Sequence, residues 1–467
     1  MVGAMGRAGD IQLEPPVSAG RDIVPAKEDR SYLGFIAAAL AAALAGGFVF
    51  GTWVPLASTG TAGGADRVPW MIQAHGWVQL QGWSGLFVAG MAVRLIPRFA
   101  GRRPVRKRVT LPLLAVLTLP VLLRIAGQPW AEGDTADAVA LAIGVSTAIG
   151  AGGVAAVLSW TLAAGRKARE PWRYFAWAGT IWWAAWAVLA LVNIPRAEAT
   201  PGLLDARDND ALLWVVMLGP ISNFIWGVQS RSVPIFFGRK TPPARQTWPL
   251  LVALNLGGIL ILEGSLDEET GYAWAGAGFV LAGAALVVLP PTVGAVYGQA
   301  KRLRPRARFA ARFIIAGNVA ATAAGALLVL GGVDMLTGGE SGGPWPGFEV
   351  RDAARHLIGV GTITMLILGM ARLIAPVFAL ERTESGVPQL LERLPFWLLV
   401  AAAALRAGVP LLGDSLDRDA GQHTIAAAGV LAWLGIATFA GSVARAALAE
   451  PRTKRALEEV AARARGA

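Results

Sequence analysis

The side chains best able to do chemistry in this chain of 467 residues are its three histidines, His75, His356 and His423. Each stands at the start of an apolar stretch in a Trp-rich chain. Imidazole is the commonest nitrogen ligand for haem iron and copper. Three imidazoles at one depth, with none elsewhere, point to a metal or haem site. The competing reading is three polar residues tolerated where helices leave a membrane. Cysteine is absent, which excludes disulfides, thiolate nucleophiles, iron–sulfur clusters, covalently attached c-type haem and thiolate zinc sites. No Gly-rich loop ends in Lys-Ser/Thr, so the chain is not an ATPase of that kind.

The elements that must position these residues are long and apolar. The chain is 55% hydrophobic and 16% charged, against about 25% charged in a soluble domain. A spanning helix needs about 20 apolar residues. By that rule the sequence predicts an all-α, polytopic membrane helical bundle of about twelve transmembrane helices. They are expected over 32–57, 74–97, 110–128, 136–164, 172–195, 210–237, 247–264, 272–298, 311–333, 353–380, 395–413 and 422–448. Residues 1–31 read as a disordered cytoplasmic N-terminal tail, 32–448 as the bundle and 449–467 as a cytoplasmic C-terminal tail.

Loop charge gives direction. GRRPVRKR, GRKARE, GRKTPPAR and KRLRPRAR alternate with the acidic or mixed SLDEETG, DMLTGGESGGPWPGFEVRD and DSLDRDAG. The positive-inside rule puts the basic set, and both termini, in the cytoplasm. The net charge of +11 therefore reads as membrane anchoring rather than nucleic-acid binding. All three histidines then begin even-numbered spans at the outer face.

The second and tenth spans echo each other. Both begin with His, carry spaced glycines, and close on Gly-Met-Ala, then Arg-Leu-Ile, then Pro; the sixth ends similarly in WGVQSRSVPIFF. An internal duplication explains this, as in many membrane bundles. At 1.5 Å per residue, Arg94 lies roughly 28 Å from His75, and Arg372 roughly 24 Å from His356. Arg94, Arg231 and Arg372 are therefore expected at the inner boundary, snorkelling to headgroups.

Around His75, α-helical spacing puts Gln79 and Trp83 on the same face, and Gly76, Gly82 and Gly85 leave room for a flat ring. His356 is followed by Gly359 and Gly361, and His423 by an Ala-rich face. Arg355, Arg124 and Arg406 are the outer-half cations that could meet haem propionates; snorkelling is the alternative for the latter two. The helix dipole at each expected N-terminus would favour neutral, metal-competent imidazole. Hardly any acid falls within a span, with Asp137 and Glu263 at ends, which disfavours a proton-coupled transporter.

These motifs, taken in order, resemble a family. His75-Gly-Trp-Val-Gln-Leu-Gln-Gly82 with LFVAG resembles the first signature of NnrS-like proteins, a His-x-His-Glu cluster before a Gly-rich span. Ser230-Arg231-Ser-Val-Pro234-Ile-Phe-Phe is similar to that family's Arg-x-x-Pro-x-Phe segment. His356-Leu-Ile-Gly-Val-Gly361, then Thr364-Met365 and Met370-Ala-Arg372, is similar to its late His-to-Arg motif. The resemblance implies a multi-pass bacterial inner-membrane protein with haem and copper, tied to nitric oxide metabolism and nitrosative stress. It implies His75 and His356 as ligands. Trp77 and Val78 stand where the cluster's second His and its acid would be, which weakens copper. The His on spans two and ten also resembles low-spin haem ligation in haem–copper oxidase large subunits, without the histidines that hold their copper.

The expectation is thus a haem-associated membrane protein that handles nitric oxide or another small gas, or transfers electrons. His75 and His356 would be axial ligands to one b-type haem, with Gln79 and Arg355 as further cofactor contacts and His423 as a spare metal ligand. Whether it is an enzyme is left open. The alternatives are a small-molecule transporter and a non-catalytic partner in a respiratory complex.

Overall fold

The computed structural model describes residues 30–165, 169–193, 201–267, 270–295, 305–338, 347–374 and 389–465. These form twelve long helical segments. They are α1 (Tyr32–Ser58), α2 (68–99), α3 (Lys107–Ala126), α4 (Gly133–Ala164), α5 (Pro171–Val192) and α6 (Ala206–Phe236). They continue with α7 (Ala244–Leu266), α8 (Gly271–Thr292), α9 (Pro305–Leu336), α10 (348–374), α11 (Gln389–Leu412) and α12 (Arg418–Arg465). Strands are absent among the described residues. The chain is a multi-pass, all-α membrane bundle. The expected N-terminal tail lies outside the described residues except for Arg30 and Ser31, and α12 runs on through the expected C-terminal tail to Arg465.

Successive helices pack side by side, and α12 returns to α1. Small residues permit the closest approaches. Gly257 of α7 faces Gly278 of α8, where a Cβ would stand 2.7 Å from the carbonyl oxygen. Gly283 of α8 likewise faces Gly325 of α9 at 2.5 Å. Any side chain there would force the backbones apart.

Three helices are inner ones. The span of α6 is 89% buried and that of α10 67%, whereas most others are half buried or less. Helix α2 is the third, with residues 82–90 and 92–97 all buried. Of the twelve segments it alone is long enough to span but falls short of the apolarity expected of a span. A helix that faces protein needs no apolar coat, so α2 can carry Gln73, His75, Gln79, Gln81 and Arg94.

These helices are not regular. The backbone widens to π-helix over Ala43–Gly47 in α1, Val78–Leu86 in α2, Met217–Ile221 in α6 and Leu357–Thr364 in α10. The stretch in α2 touches the other three. π-Helical turns are rare and gather at functional sites, because they leave carbonyls and space that an α-helix would close. In α2 and α10 the stretch starts three residues and one residue after the histidine, respectively.

Candidate histidine site between α1, α2, α10 and α11

His75 sits on the second turn of α2, facing α1. Its Nδ1 lies 2.7 Å from the Gly47 carbonyl oxygen, within the π stretch of α1. A carbonyl can only accept, so Nδ1 carries the proton and the lone pair of the neutral ring is on Nε2. The ring edge lies flat on Gly51, where a Cβ would be 2.8 Å from its Cε1. Gln79 rests on Gly47, 3.0 Å from the position of a Cβ there. His75 and Gln79 therefore share the α1 wall, as the sequence predicts. Among the described residues neither His75 Nε2 nor the Gln79 amide has a hydrogen-bond partner.

His356, on α10, repeats the arrangement by a different route. Its Nδ1 donates to the Asp352 carbonyl oxygen at 2.8 Å and lies 3.3 Å from the Asp352 carboxylate. Again Nε2 is left with the lone pair and no partner among the described residues. Asp352 also holds Arg406 of α11 at 2.9 Å. Next to this pair, Arg355 binds Asp210 of α6, with its guanidinium 5.0 Å from the Trp214 ring centroid. Asp352 thus joins His356 to Arg406, and the π stretch that follows His75 touches the one that follows His356.

Small and unpartnered groups surround the histidines. Nothing lies within 4 Å of a Cβ built on Gly359, one turn below His356. The buried Thr362 hydroxyl and Arg406 NH1 have no hydrogen-bond partner. Across the interface, Trp83 Nε1 donates to Thr364 Oγ1 at 3.0 Å, and that hydroxyl bonds back to Gly359 O at 2.9 Å. Trp83 was expected on the His75 face. It points to α10 instead, because the π stretch turns through more residues per turn than the α spacing assumes.

Four other expectations need correction. His423 does not join the pair: it is exposed, its Nδ1 donates to Asp419 O at 2.6 Å, and its Nε2 lies 3.1 Å from Thr61 Oγ1. Both of its nitrogens are engaged. The dipole argument does not hold either, since His75 and His356 lie about two turns inside helices that start at 68 and 348, and the dipole fades within one turn. Arg94 and Arg124 are too buried to snorkel, and Arg231 and Arg372, partly exposed, meet partners within the protein. Arg94 is 2% exposed beneath Tyr32, Arg372 lies over Phe313 and Phe439, and Arg231 pairs with Glu170. Arg124 is buried against Trp77, and Arg406 is paired with Asp352. Finally, acids are present inside the bundle: Asp210 is 5% exposed and Asp352 is half-buried.

Trp77, at the position of the resembled family's second histidine, fills its space with rings. It stacks on Trp186 with centroids 6.2 Å apart and donates to Asn209 Oδ1 at 2.9 Å. Among the described residues no three His, Cys, Asp or Glu side chains converge as a metal site. The donor set therefore does not fit copper held by three such ligands. It leaves two neutral imidazoles, each with an Nε2 unengaged among the described residues, on adjacent helices. A scan against protein-family models and a search of the curated proteins each found no match.

Proposed function

We propose that the protein is an NnrS-like haem protein of the bacterial inner membrane, in which His75 and His356 would hold one b-type haem through their Nε2 atoms. Both termini would be cytoplasmic and the histidine end would face outward. Two imidazoles on neighbouring inner helices, each tied at Nδ1 with Nε2 free, are the observation that carries this reading. Metal-binding histidines commonly donate their second nitrogen to a carbonyl or carboxylate, which fixes the ring and the tautomer. Here Gly47 does so for His75 and Asp352 for His356.

Bound haem would supply one-electron chemistry and an iron able to meet a small gas such as nitric oxide. The chain's own residues do the rest. Gly51 and Gly359 give the rings room, the Thr362 hydroxyl and Gln79 amide are unspent hydrogen-bonding groups, and Arg406 keeps an unused N–H for a propionate. Arg355 is the less available cation, since Asp210 already neutralises it. Electron transfer or gas handling follows; copper has no ligand set among the described residues. The test is the visible spectrum of the purified full chain expressed with ample haem. A Soret band lost in His75→Ala and in His356→Ala supports the reading, and its absence from the wild type refutes it.

A transporter is the second reading, favoured by the buried Asp210 and Asp352, which remove the objection that the bundle lacks internal acids. Substrate-dependent flux in proteoliposomes from chromophore-free protein would support it. An assembly role beside respiratory subunits would instead be seen as their co-purification.

A further inference from the structure

On the far side of α2 from the histidines lies a chamber whose lining is mostly apolar, with a few polar side chains set into it. It has a volume of about 70 Å³ and is walled by Arg124 of α3, Trp77 and Gln73 of α2, Thr147 of α4 and Asn193 after α5. Residues 201–204 roof it. Gln73 binds Leu204 through both backbone groups at 2.6 and 3.2 Å, Gln128 donates to Gly202 O at 3.2 Å, and Trp70 to Pro201 O at 3.1 Å. The roof is thus stapled to α2 and to the end of α3.

Arg124 is the unusual member. Its side chain is 7% exposed, yet among the described residues no carboxylate pairs with it. One nitrogen donates to Gln128 Oε1 at 3.0 Å, and the guanidinium lies 4.9 Å from the Trp77 ring centroid. Its Nε has no partner. Among the described residues near this end, the buried Arg351 and the half-buried Arg355 and Arg406 each have an acid beside them. A guanidinium held out of water keeps its charge and needs an anion to balance it. Neither the Trp77 ring nor a neutral amide carries that charge.

We propose that this chamber is an anion site, in which Arg124 holds one small, singly charged anion of the size of chloride or formate. The chamber is about half the roughly 150 Å³ of an engineered cavity that binds benzene, room for one small anion and too little for haem. The site is independent of the histidine pair and of what that pair binds.

The experiment measures the thermal unfolding midpoint of the detergent-solubilised full chain in sodium formate and in sodium gluconate at equal ionic strength. Gluconate is too large for the chamber. The wild type should show a saturable rise of a few degrees in formate over gluconate, because a ligand that binds the folded state raises its apparent stability. Arg124→Met should lose that difference. Ala140→Leu, which keeps the charge but fills the chamber from α4, should lose it too, and it decides the matter if Arg124→Met does not fold. Equal midpoints for the wild type in the two salts would overturn the proposal. So would a wild-type response in Ala140→Leu, or an undiminished response in a folded Arg124→Met.

Discussion

Replacing Asp352 with Asn is expected to cost about 3 kcal/mol of stability. Asp352 makes a 2.9 Å ion pair with Arg406, with side chains 15% and 18% exposed. Removing one partner of a buried pair costs about 3–5 kcal/mol because it strands the other charge. A fully exposed pair is worth about 1 kcal/mol at most. Limited exposure puts this pair near the lower end of the buried range. Arg406 NH1 already lacks a partner, so nothing nearby can take up the freed cation. Removing both charges, as in Asp352→Asn with Arg406→Gln, should therefore be less damaging than the two single losses added. Reversible unfolding in rising mole fractions of SDS, followed by Trp fluorescence, gives the four free energies of the cycle. A coupling of more than about 1 kcal/mol is expected. Additivity within about 0.5 kcal/mol, the behaviour of independent sites, would refute the claim that this pair anchors α10 to α11 beside His356.

Three further outcomes follow from the packing. Gly51→Ala must push the His75 ring, whose Cε1 would be 2.8 Å from the new methyl, and should lower the unfolding midpoint; Gly359→Ala meets no atom within 4 Å and should leave it unchanged. Thr364→Val strands the indole N–H of Trp83, which is 1% exposed, and should cost about 1–3 kcal/mol by the same SDS titration. His423→Ala removes an exposed ring that, among the described residues, hydrogen-bonds to Thr61 and to its own helix, and should change stability by no more than about 0.5 kcal/mol.

The bundle itself was legible because lipid imposes long apolar helices and charge decides the loops. Eleven spans follow from apolar windows alone. Helix boundaries were less legible where a charged turn begins an inner helix. Asp352 falls just before the expected span 353–380 and Asp210 is the first residue of 210–237, whereas α10 begins at Phe348 and α6 at Ala206, which carries both acids inside their helices. The spacing Asp352-x-x-x-His356 was the available signal, a carboxylate one turn before a histidine. Arginine roles were misread for a related reason. Sequence places Arg94 and Arg124 near span ends, but only packing reveals that Tyr32 and Trp77 cover them. The π stretches left no mark in hydropathy, since Val78–Leu86 and Leu357–Thr364 are compatible with ordinary helix. They are what turns Trp83 to α10, and no count by fours could have found that.

His75 and His356, fixed at Nδ1 and free at Nε2, are proposed to hold one haem. Pyridine haemochrome and Soret absorbance of the purified wild type, His75→Ala, His356→Ala and His423→Ala test this together. One haem per chain in the wild type and in His423→Ala, with loss or a change to five-coordinate spectra in the other two, is the predicted result. A haem-free wild type, or a haem spectrum unchanged by either substitution at positions 75 and 356, would contradict it.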